Sequence, residues 1–282
     1  MITFVTFHSD LSAETMERIH RHEEKTGTSS FTWDGADRPE APRALLDMMF
    51  ASASRTHPDC RKVLLTDERT PFTVGSDIEL KRLDLGDPLP SLSRSIAWVE
   101  FLRQVPRDSH IVFIDYDMLV EESLEPVFET VFDVGLTFRP HHRWPINAGI
   151  QFLHGSRIQR SLKFYERALA VFEESYGDWV VWCGDQWAFR HLVNADFEQE
   201  GTFLHRENET DVLLLPCDKY NFTPADEWNV AEDSYAGKSV LHFKGGAKVA
   251  MLEYWKKHLA AEFGHVNTEA LQERRSGASS EV

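Results

Sequence analysis

The sequence predicts an α/β fold in which a mostly parallel central sheet is covered by helices on both faces. Short apolar, β-branched runs alternate with longer segments of helical periodicity, and this alternation is typical of such sheets. In the N-terminal half, strands are predicted at residues 2–7, 62–66, 78–83 and 110–114, and helices at residues 44–55 and 91–104. Beyond about residue 130 the order becomes mixed, with strands at 134–138, 149–153, 212–215 and 239–243 and helices at 157–174 and 185–193.

Each strand of the N-terminal half is predicted from a run of apolar residues. Residues 2–7 (ITFVTF) form a short apolar and β-branched run, and residues 110–114 (HIVFI) give the strongest strand signal in the chain; both have the length expected for buried strands. Residues 62–66 (KVLLT) end at an acidic pair, Asp67-Glu68, whereas residues 78–83 give a weaker strand signal.

The two helices between these strands are predicted from apolar residues at helical spacing. In the first, the residues that share one face are Leu45, Leu46, Met49 and Phe50. In the second, the residues predicted to point inward are Ile96, Val99, Phe101 and Leu102. A serine side chain accepts hydrogen bonds from free backbone N–H groups, so Ser91 or Ser93 is predicted to cap the second helix.

Composition and charge exclude several classes of protein. The chain has 30 Lys and Arg against 46 Asp and Glu, and a net charge of −16 disfavours nucleic-acid binding while allowing one small anionic ligand. Its three cysteines form no CxxC pair, and the N-terminus lacks the pattern of a signal peptide. No apolar run approaches the roughly 18 residues of a transmembrane helix. We therefore expect a cytoplasmic protein, free in solution or peripheral at the inner face of the membrane.

The strongest chemical signal lies directly after the predicted strand at 110–114, where the sequence reads Asp115-Tyr116-Asp117. Alternate residues of an extended segment share a face, so both carboxylates can point toward one cation. Ligands of open α/β sheets also bind at the carboxyl ends of the strands. A solvated acidic turn is the alternative interpretation of this short motif.

A second signal follows the predicted strand at 239–243, where His242 and Lys248 flank the pair Gly245-Gly246. An imidazole nitrogen can ligate a metal. Two glycines let the backbone approach phosphate oxygens closely, and a lysine can neutralise their charge. This loop is typical of a diphosphate-binding segment.

These two segments belong to an ordered set with Asn147-Ala148-Gly149 and Asp185-Gln186. The set resembles the retaining glycosyltransferases of the glycogenin and lipopolysaccharide-galactosyltransferase type. The resemblance implies a GT-A (Rossmann-like) fold. The sequence shows no internal repeat and no linker that would divide the chain, so one domain is predicted over residues 1–264. In that domain, a nucleotide-sugar-binding half at about 1–120 is followed by an acceptor-side half at about 121–264. Residues 265–282, rich in polar and small residues, are predicted to form a flexible tail.

The resemblance also implies a role for each matching residue. The predicted ligands of a Mn²⁺ or Mg²⁺ ion are Asp115, Asp117 and His242, with Asp115 also a contact of the ribose. The residues predicted to face the donor diphosphate are Gly245 and Lys248. The residues predicted to lie near the donor sugar are Asn147, Asp185, Gln186 and the basic Arg94, for which a surface position is the alternative. The residues predicted to frame the nucleoside base are Thr6, His8 and Asp67.

The sequence also departs from the family pattern. The segment from Leu215-Pro216 to Tyr220-Asn221 is one residue longer than the family's motif, and Trp187 follows the Asp-Gln pair instead of a polar residue. Trp179, Trp182 and Trp187 can either stack on an acceptor sugar or belong to the core. These differences indicate a divergent branch of the family and leave the identity of the acceptor open.

The predicted activity is metal-dependent transfer of a sugar from a nucleotide-diphosphate sugar, expected to be a UDP-sugar, to a hydroxyl of a glycan, glycolipid or other acceptor. The resemblance implies that the anomeric configuration is retained. Two alternatives are a sugar-1-phosphate nucleotidyltransferase and a non-catalytic protein that binds nucleotide sugars. The segment after residues 2–7 has no Gly-rich basic loop, which argues against the first, and the intact candidate ligands argue against the second.

Overall fold

A mixed sheet forms the centre of the fold in the computed structural model, which describes residues 1–26, 40–86, 89–105, 109–174, 183–224 and 235–263. Within these ranges the strands are β1 (Ile2–Phe7), β2 (Arg61–Asp67), β3 (Glu79–Leu83), β4 (His110–Ile114), β5 (Met118–Val120), β6 (Val134–Phe138), β7 (Ile146–Leu153), β8 (Phe203–Glu207), β9 (Thr210–Pro216) and β10 (Val240–His242). Eight of them form one sheet in the order β3-β2-β1-β4-β7-β6-β9-β8, and β5 pairs with β10 in a separate ribbon.

The direction of the strands changes at the middle of this sheet. Strands β3, β2, β1 and β4 are parallel to one another, and β7 runs antiparallel between β4 and β6. Strand β9 is parallel to β6, and β8 is an antiparallel edge strand. The predicted mostly parallel sheet with a mixed C-terminal half is therefore confirmed.

Helices cover both faces of the sheet. The described helices are α1 (Ala13–Thr26), α2 (Glu40–Thr56), α3 (Pro90–Gln104), α4 (Ile158–Glu174), α5 (Gly184–Leu192), α6 (Cys217–Tyr220), α7 (Lys248–Tyr254) and α8 (Ala260–Phe263), the last two joined by a π-helical turn (Trp255–Leu259). Helices α2 and α7 pack on one face with the β5–β10 ribbon, and α3, α4 and α5 pack on the other. Side chains alternate between these two cores along each central strand, as for Phe4 and Val5.

Most predicted elements are confirmed, and the differences have local causes. Helix α3 begins at Pro90 after Leu89, and no side chain caps it, so the predicted Ser91 or Ser93 cap is wrong. Proline at the first helical position lacks an N–H that needs a partner, which reduces the need for a cap. Of the residues predicted to point inward from α3, Ile96 is only half-buried.

Among the elements named above, five have no counterpart in the prediction, namely α1, β5, β8, α6 and the helical segment that begins with α7. Trp179, Trp182 and the predicted tail at 265–282 lie outside the described residues. None of the helices in the described ranges is both long and apolar enough to cross a bilayer.

Candidate metal centre

Asp115, Asp117 and His242 converge at one point beyond the carboxyl end of β4. One ligand atom from each lies within 4.8 Å of the others. The His242 Nε2 atom is 3.3 Å from Asp117 Oδ1 and 3.9 Å from Asp115 Oδ2. The residues predicted as metal ligands are thus brought together. Two carboxylate oxygens and one imidazole nitrogen form a donor set that suits a divalent cation such as Mn²⁺.

The β5–β10 ribbon brings the distant histidine to the acidic motif. In the antiparallel register of this ribbon His242 pairs with Met118, and Met118 directly follows Asp117 in the chain. The Phe243 N–H then donates to the Asp117 carbonyl oxygen at 2.9 Å. Backbone hydrogen bonds on both sides therefore determine the position of the imidazole relative to the carboxylate.

Gly149 provides the space that the imidazole occupies. A Cβ atom at this position would lie 2.5 Å from His242 Cε1 and 2.7 Å from His242 Nδ1. The Gly149 carbonyl oxygen also accepts a hydrogen bond of 2.8 Å from the Asp115 N–H, which attaches the acidic motif to β7. A side chain at this position would displace the ring, so the glycine of the Asn-Ala-Gly segment has a steric role.

A chain of buried hydrogen bonds sets the tautomer of His242. The Asn147 carbonyl oxygen can only accept, so the Thr137 hydroxyl donates to it at 2.7 Å. Thr137 Oγ1 then accepts from the Asn221 amide group at 2.8 Å, which orients the Asn221 Oδ1 atom toward the histidine. The Nδ1 atom of His242 must therefore donate to that oxygen, over a distance of 2.8 Å.

This tautomer leaves the lone pair of His242 Nε2 directed at the two carboxylates. Burial lowers the pKa of His242 to about 4, with Lys244 adding to the effect and Asp117 opposing it. The imidazole is therefore neutral at neutral pH. A nitrogen lone pair 3.3 Å from a carboxylate oxygen is repulsive unless a cation lies between them, so the arrangement fits a metal ion.

Lys248 is the cation closest to Asp117, with its Nζ atom 3.2 Å from Oδ2. Burial alone would raise the pKa of Asp117, but the charge of Lys248 opposes this, and the pKa lies below its usual range. Burial alone would lower the pKa of Lys248, but Asp117, Tyr116 and Asp115 together outweigh burial and raise it. Both groups are charged at neutral pH. Gly245, where the turn before α7 begins, has a φ of 53°, which glycine adopts without strain.

Arg94 connects the acidic motif to the start of α5. Its guanidinium donates to Asp115 Oδ1 at 2.5 Å and also to Asp185 Oδ2. Burial raises the pKa of Asp115 to about 6 despite Arg94, and the neighbouring charges of Asp117 and Asp185 add to the rise. Three carboxylates thus share two ion-paired cations, an excess of negative charge that a bound cation can neutralise. The alternative of a surface arginine is wrong for Arg94, whose side chain is 18% exposed.

The residues predicted near the donor sugar lie around the same centre. Asn147 is buried in β7, and its Oδ1 atom accepts from the Gly149 N–H at 3.1 Å. Asp185 is buried in the first turn of α5, where Oδ1 accepts from the Gln186 N–H at 2.8 Å. The side chain of Gln186 is half-buried.

The residues predicted to frame the nucleoside base differ from one another in their contacts. The ring of His8 contacts Tyr116 edge-on at 5.4 Å, so the end of β1 does lie beside the acidic motif. Thr6 is buried, and its hydroxyl has no hydrogen-bond partner among the described residues. The Asp67 carboxylate accepts from the Thr70 N–H at 2.8 Å and pairs with Arg69, so it stabilises its own loop.

Asn221 and Thr137 belong to the centre but are not among the predicted site residues. The only signal for Asn221 is its place at the end of the Leu-Pro…Tyr-Asn segment, and Thr137 is an ordinary strand residue in sequence. Their roles come from contacts between strands and loops far apart in the chain.

Comparisons with known proteins identify the fold. No protein-family model and no curated protein sequence matches the chain. Among solved structures, galactosyltransferase LgtC in complex with donor and acceptor sugar analogs is 14% identical with a TM-score of 0.51, over 99% of this chain and 97% of that one. Glycosyltransferase GlyE of Streptococcus pneumoniae TIGR4 is 13% identical with a TM-score of 0.53, over 98% of this chain but only 63% of that one. The predicted GT-A fold is confirmed by this likeness.

Proposed function

We propose that this protein is a metal-dependent glycosyltransferase that uses a nucleotide-diphosphate sugar, specifically a UDP-sugar, as donor. The observation that carries the proposal is the convergence of Asp115, Asp117 and His242 at the carboxyl end of β4, with Lys248 paired to Asp117. A hard-ligand cluster beside a lysine and a glycine turn can bind a diphosphate through a bridging cation. The fold shared with solved glycosyltransferases supports the same conclusion.

The metal ligands would be Asp115, Asp117 and the Nε2 atom of His242, and Mn²⁺ suits the mixed oxygen and nitrogen set better than Mg²⁺. When bound, the ion would supply Lewis-acid stabilisation of the charge on the departing diphosphate. The protein itself contributes the ammonium group of Lys248 and the open backbone at Gly245. Both lie on the segment that follows β10.

The start of α5 would hold the donor sugar. Arg94 and the Gln186 N–H occupy both oxygens of the Asp185 carboxylate. A carboxylate held in this way is suited to orienting the sugar and stabilising positive charge on it, and less suited to forming a covalent adduct. Retention by front-face attack is therefore the mechanism that we propose.

In this step the acceptor hydroxyl oxygen would form a bond to the anomeric carbon on the face that the diphosphate leaves. The bond from that carbon to the diphosphate oxygen would break, and its electron pair would remain on the diphosphate. The hydroxyl proton would pass to the departing oxygen. Asp185, Gln186 and Asn147 would position the sugar for this exchange.

Calorimetric titration with UDP, with and without Mn²⁺, tests the donor site. We expect binding that needs Mn²⁺ and is lost in the Asp117→Asn variant. The matched control is Asp77→Asn, which removes an exposed carboxylate paired with Lys62 on the edge of the sheet. UDP binding that is independent of Mn²⁺, or that survives in Asp117→Asn, would contradict the proposed metal site.

A screen of sugar nucleotides tests the reaction. Release of UDP from a UDP-sugar, with an α-linked product detected by NMR, is the expected result for a retaining enzyme acting on the common α-linked donors. Formation of a sugar nucleotide from a sugar 1-phosphate and UTP would instead identify a nucleotidyltransferase. Tight Mn²⁺-dependent UDP binding with no turnover of any donor would leave only a binding protein.

A further inference from the structure

A cleft of about 570 Å³ opens between the loop that precedes β7 and the exposed side of α5. Its lining includes two tryptophans, two arginines and two histidines, which are Trp144, Trp187, Arg143, Arg190, His142 and His191. This volume is in the range of small-molecule sites, roughly 300–1,000 Å³. We call it the Trp144–Trp187 cleft.

The walls of the Trp144–Trp187 cleft belong to segments that also carry residues proposed to hold the donor sugar. Its loop wall ends just before Ile146, the residue next to Asn147. Its helical wall belongs to α5, whose first turn contains Asp185. Arg190 lies about 7.5 Å along the helix axis from Asp185 but, at about 100° per residue, projects from nearly the opposite side of α5. The cleft therefore lies on the exposed side of α5, whereas Asp185 is buried.

The cleft carries positive charge in a chain whose net charge is −16. Neither Arg143 nor Arg190 pairs with a carboxylate in the described part of the chain, and no acidic residue is among the described residues of the lining. Arg190 lies 5.1 Å from the Phe197 ring and donates to the Val193 carbonyl oxygen at 3.2 Å, which holds its guanidinium in place. An anionic ligand would supply the acidic partner that neither arginine has among the described residues.

The two tryptophans lie beside these charges, and the Arg143 guanidinium lies over the Trp144 ring, 5.5 Å from its centroid. Trp144 and Trp187 are both half-buried, and the Trp187 ring is stacked on His191 with a centroid distance of 5.5 Å. His141 fixes the loop, because its Nδ1 atom accepts from the Trp144 N–H at 2.9 Å. Aromatic faces suit the apolar faces of sugar rings, so the cleft combines a platform for a sugar with donors for an anion.

We propose that the Trp144–Trp187 cleft binds a saccharide that carries a carboxylate or a phosphate. The guanidinium groups of Arg143 and Arg190 bind the anionic group, and Trp187 and Trp144 contact the sugar ring. The departure at Trp187 from a polar residue in the family pattern is explained by this contact.

Ligand-detected NMR and calorimetric titration test the proposal on the whole chain without any donor present. One matched pair of probes is trigalacturonate and neutral maltotriose, and another is glucose 6-phosphate and glucose. We expect the acidic member of at least one pair to bind about tenfold or more tightly, because a charge-assisted hydrogen bond has this effect on affinity. The pair whose acidic member binds more tightly than its neutral member identifies carboxylate or phosphate as the recognised group.

Variants assign the binding to the cleft. The substitutions Arg143→Gln and Arg190→Gln should each lower the affinity for the acidic saccharide by about tenfold. Trp187→Ala should weaken it as well. The matched control is Arg167→Gln, which removes an exposed arginine of α4 outside the lining, and it should have no effect. Mn²⁺-dependent UDP binding should stay at the wild-type level in all of these variants.

Several outcomes would overturn the proposal. Equal affinity for acidic and neutral probes would refute recognition of an anion, and so would binding that neither arginine substitution weakens. Inorganic phosphate that binds as tightly as glucose 6-phosphate would show an anion site without saccharide recognition. Absence of UDP binding with intact acidic-saccharide binding would refute only the proposed donor chemistry, so the two failures are distinguishable.

Discussion

Replacing Gly149 by alanine should separate metal binding from folding. The added methyl group would lie 2.5 Å from His242 Cε1, about 0.9 Å inside the 3.4 Å at which ordinary contact begins. The backbone of Gly149 is not in the left-handed region, so alanine can adopt it, and the ring of His242 must move instead. A shift of that size would break the 2.8 Å hydrogen bond from His242 Nδ1 to Asn221 Oδ1 and rotate Nε2 away from the two carboxylates.

The cost can be divided between stability and ligand affinity. Inserting a methylene-sized group into a packed interior costs about 1–3 kcal/mol, and a broken buried hydrogen bond costs about 1–3 kcal/mol. We expect a loss of about 2–4 kcal/mol in the free energy of unfolding. Misplacing a ligand through its supporting contacts lowers metal affinity about 10–100-fold, and Mn²⁺-dependent UDP binding should fall by the same factor.

Denaturant unfolding and calorimetric titration of UDP with Mn²⁺ measure the two effects separately. The matched control is Gly135→Ala in β6, where the new Cβ would lie 3.0 Å from Phe152 Cβ. That variant should lose stability by overpacking and keep its UDP affinity. Wild-type affinity in a folded Gly149→Ala protein would refute the reasoning that the space at Gly149 determines the ligand geometry.

Three other perturbations test the same physical picture. Asn221→Leu would leave the buried Nδ1–H of His242 without its acceptor, so Mn²⁺ affinity should fall about 10–100-fold in calorimetric titration, and unchanged affinity would show that the tautomer is set elsewhere. Arg94→Met would remove the guanidinium between two acidic groups and should cost about 3–5 kcal/mol in urea unfolding, whereas a loss below about 1 kcal/mol would contradict its bridging role. Acidification should lower the free energy of unfolding between pH 6.5 and about 4, because burial, assisted by a neighbouring histidine, lowers the pKa of His110 to about 4. Its Nδ1 atom accepts the Gly155 N–H, so the unfolded chain binds more protons in this window, and His110→Gln should flatten the pH dependence by about 1 kcal/mol after solvent screening.

Prediction succeeded where the signal was local and strong. Strands β1 and β4 have the predicted bounds because each is a short run of mainly apolar and β-branched residues, and such a run is stable when both faces of the strand are buried. Helix α1 was missed because its residues are mostly charged, with few apolar positions to reveal the helical spacing. Strand β5 has three residues, too short to give a pattern, and it forms only because β10 pairs with it.

For the candidate site, the sequence by itself determined which functional groups are present. The two acidic residues after a buried strand and the histidine before a glycine pair can be recognised from short stretches of sequence. Carboxylate oxygens together with an imidazole already imply a divalent cation. Only the tertiary structure decided how these groups are arranged, since the register of the β5–β10 ribbon sets the approach of His242 to Asp117. The tautomer of the imidazole and the positive cleft likewise depend on contacts between residues distant in the chain. Such contacts arise from packing and strand register, and no periodicity along the sequence encodes them.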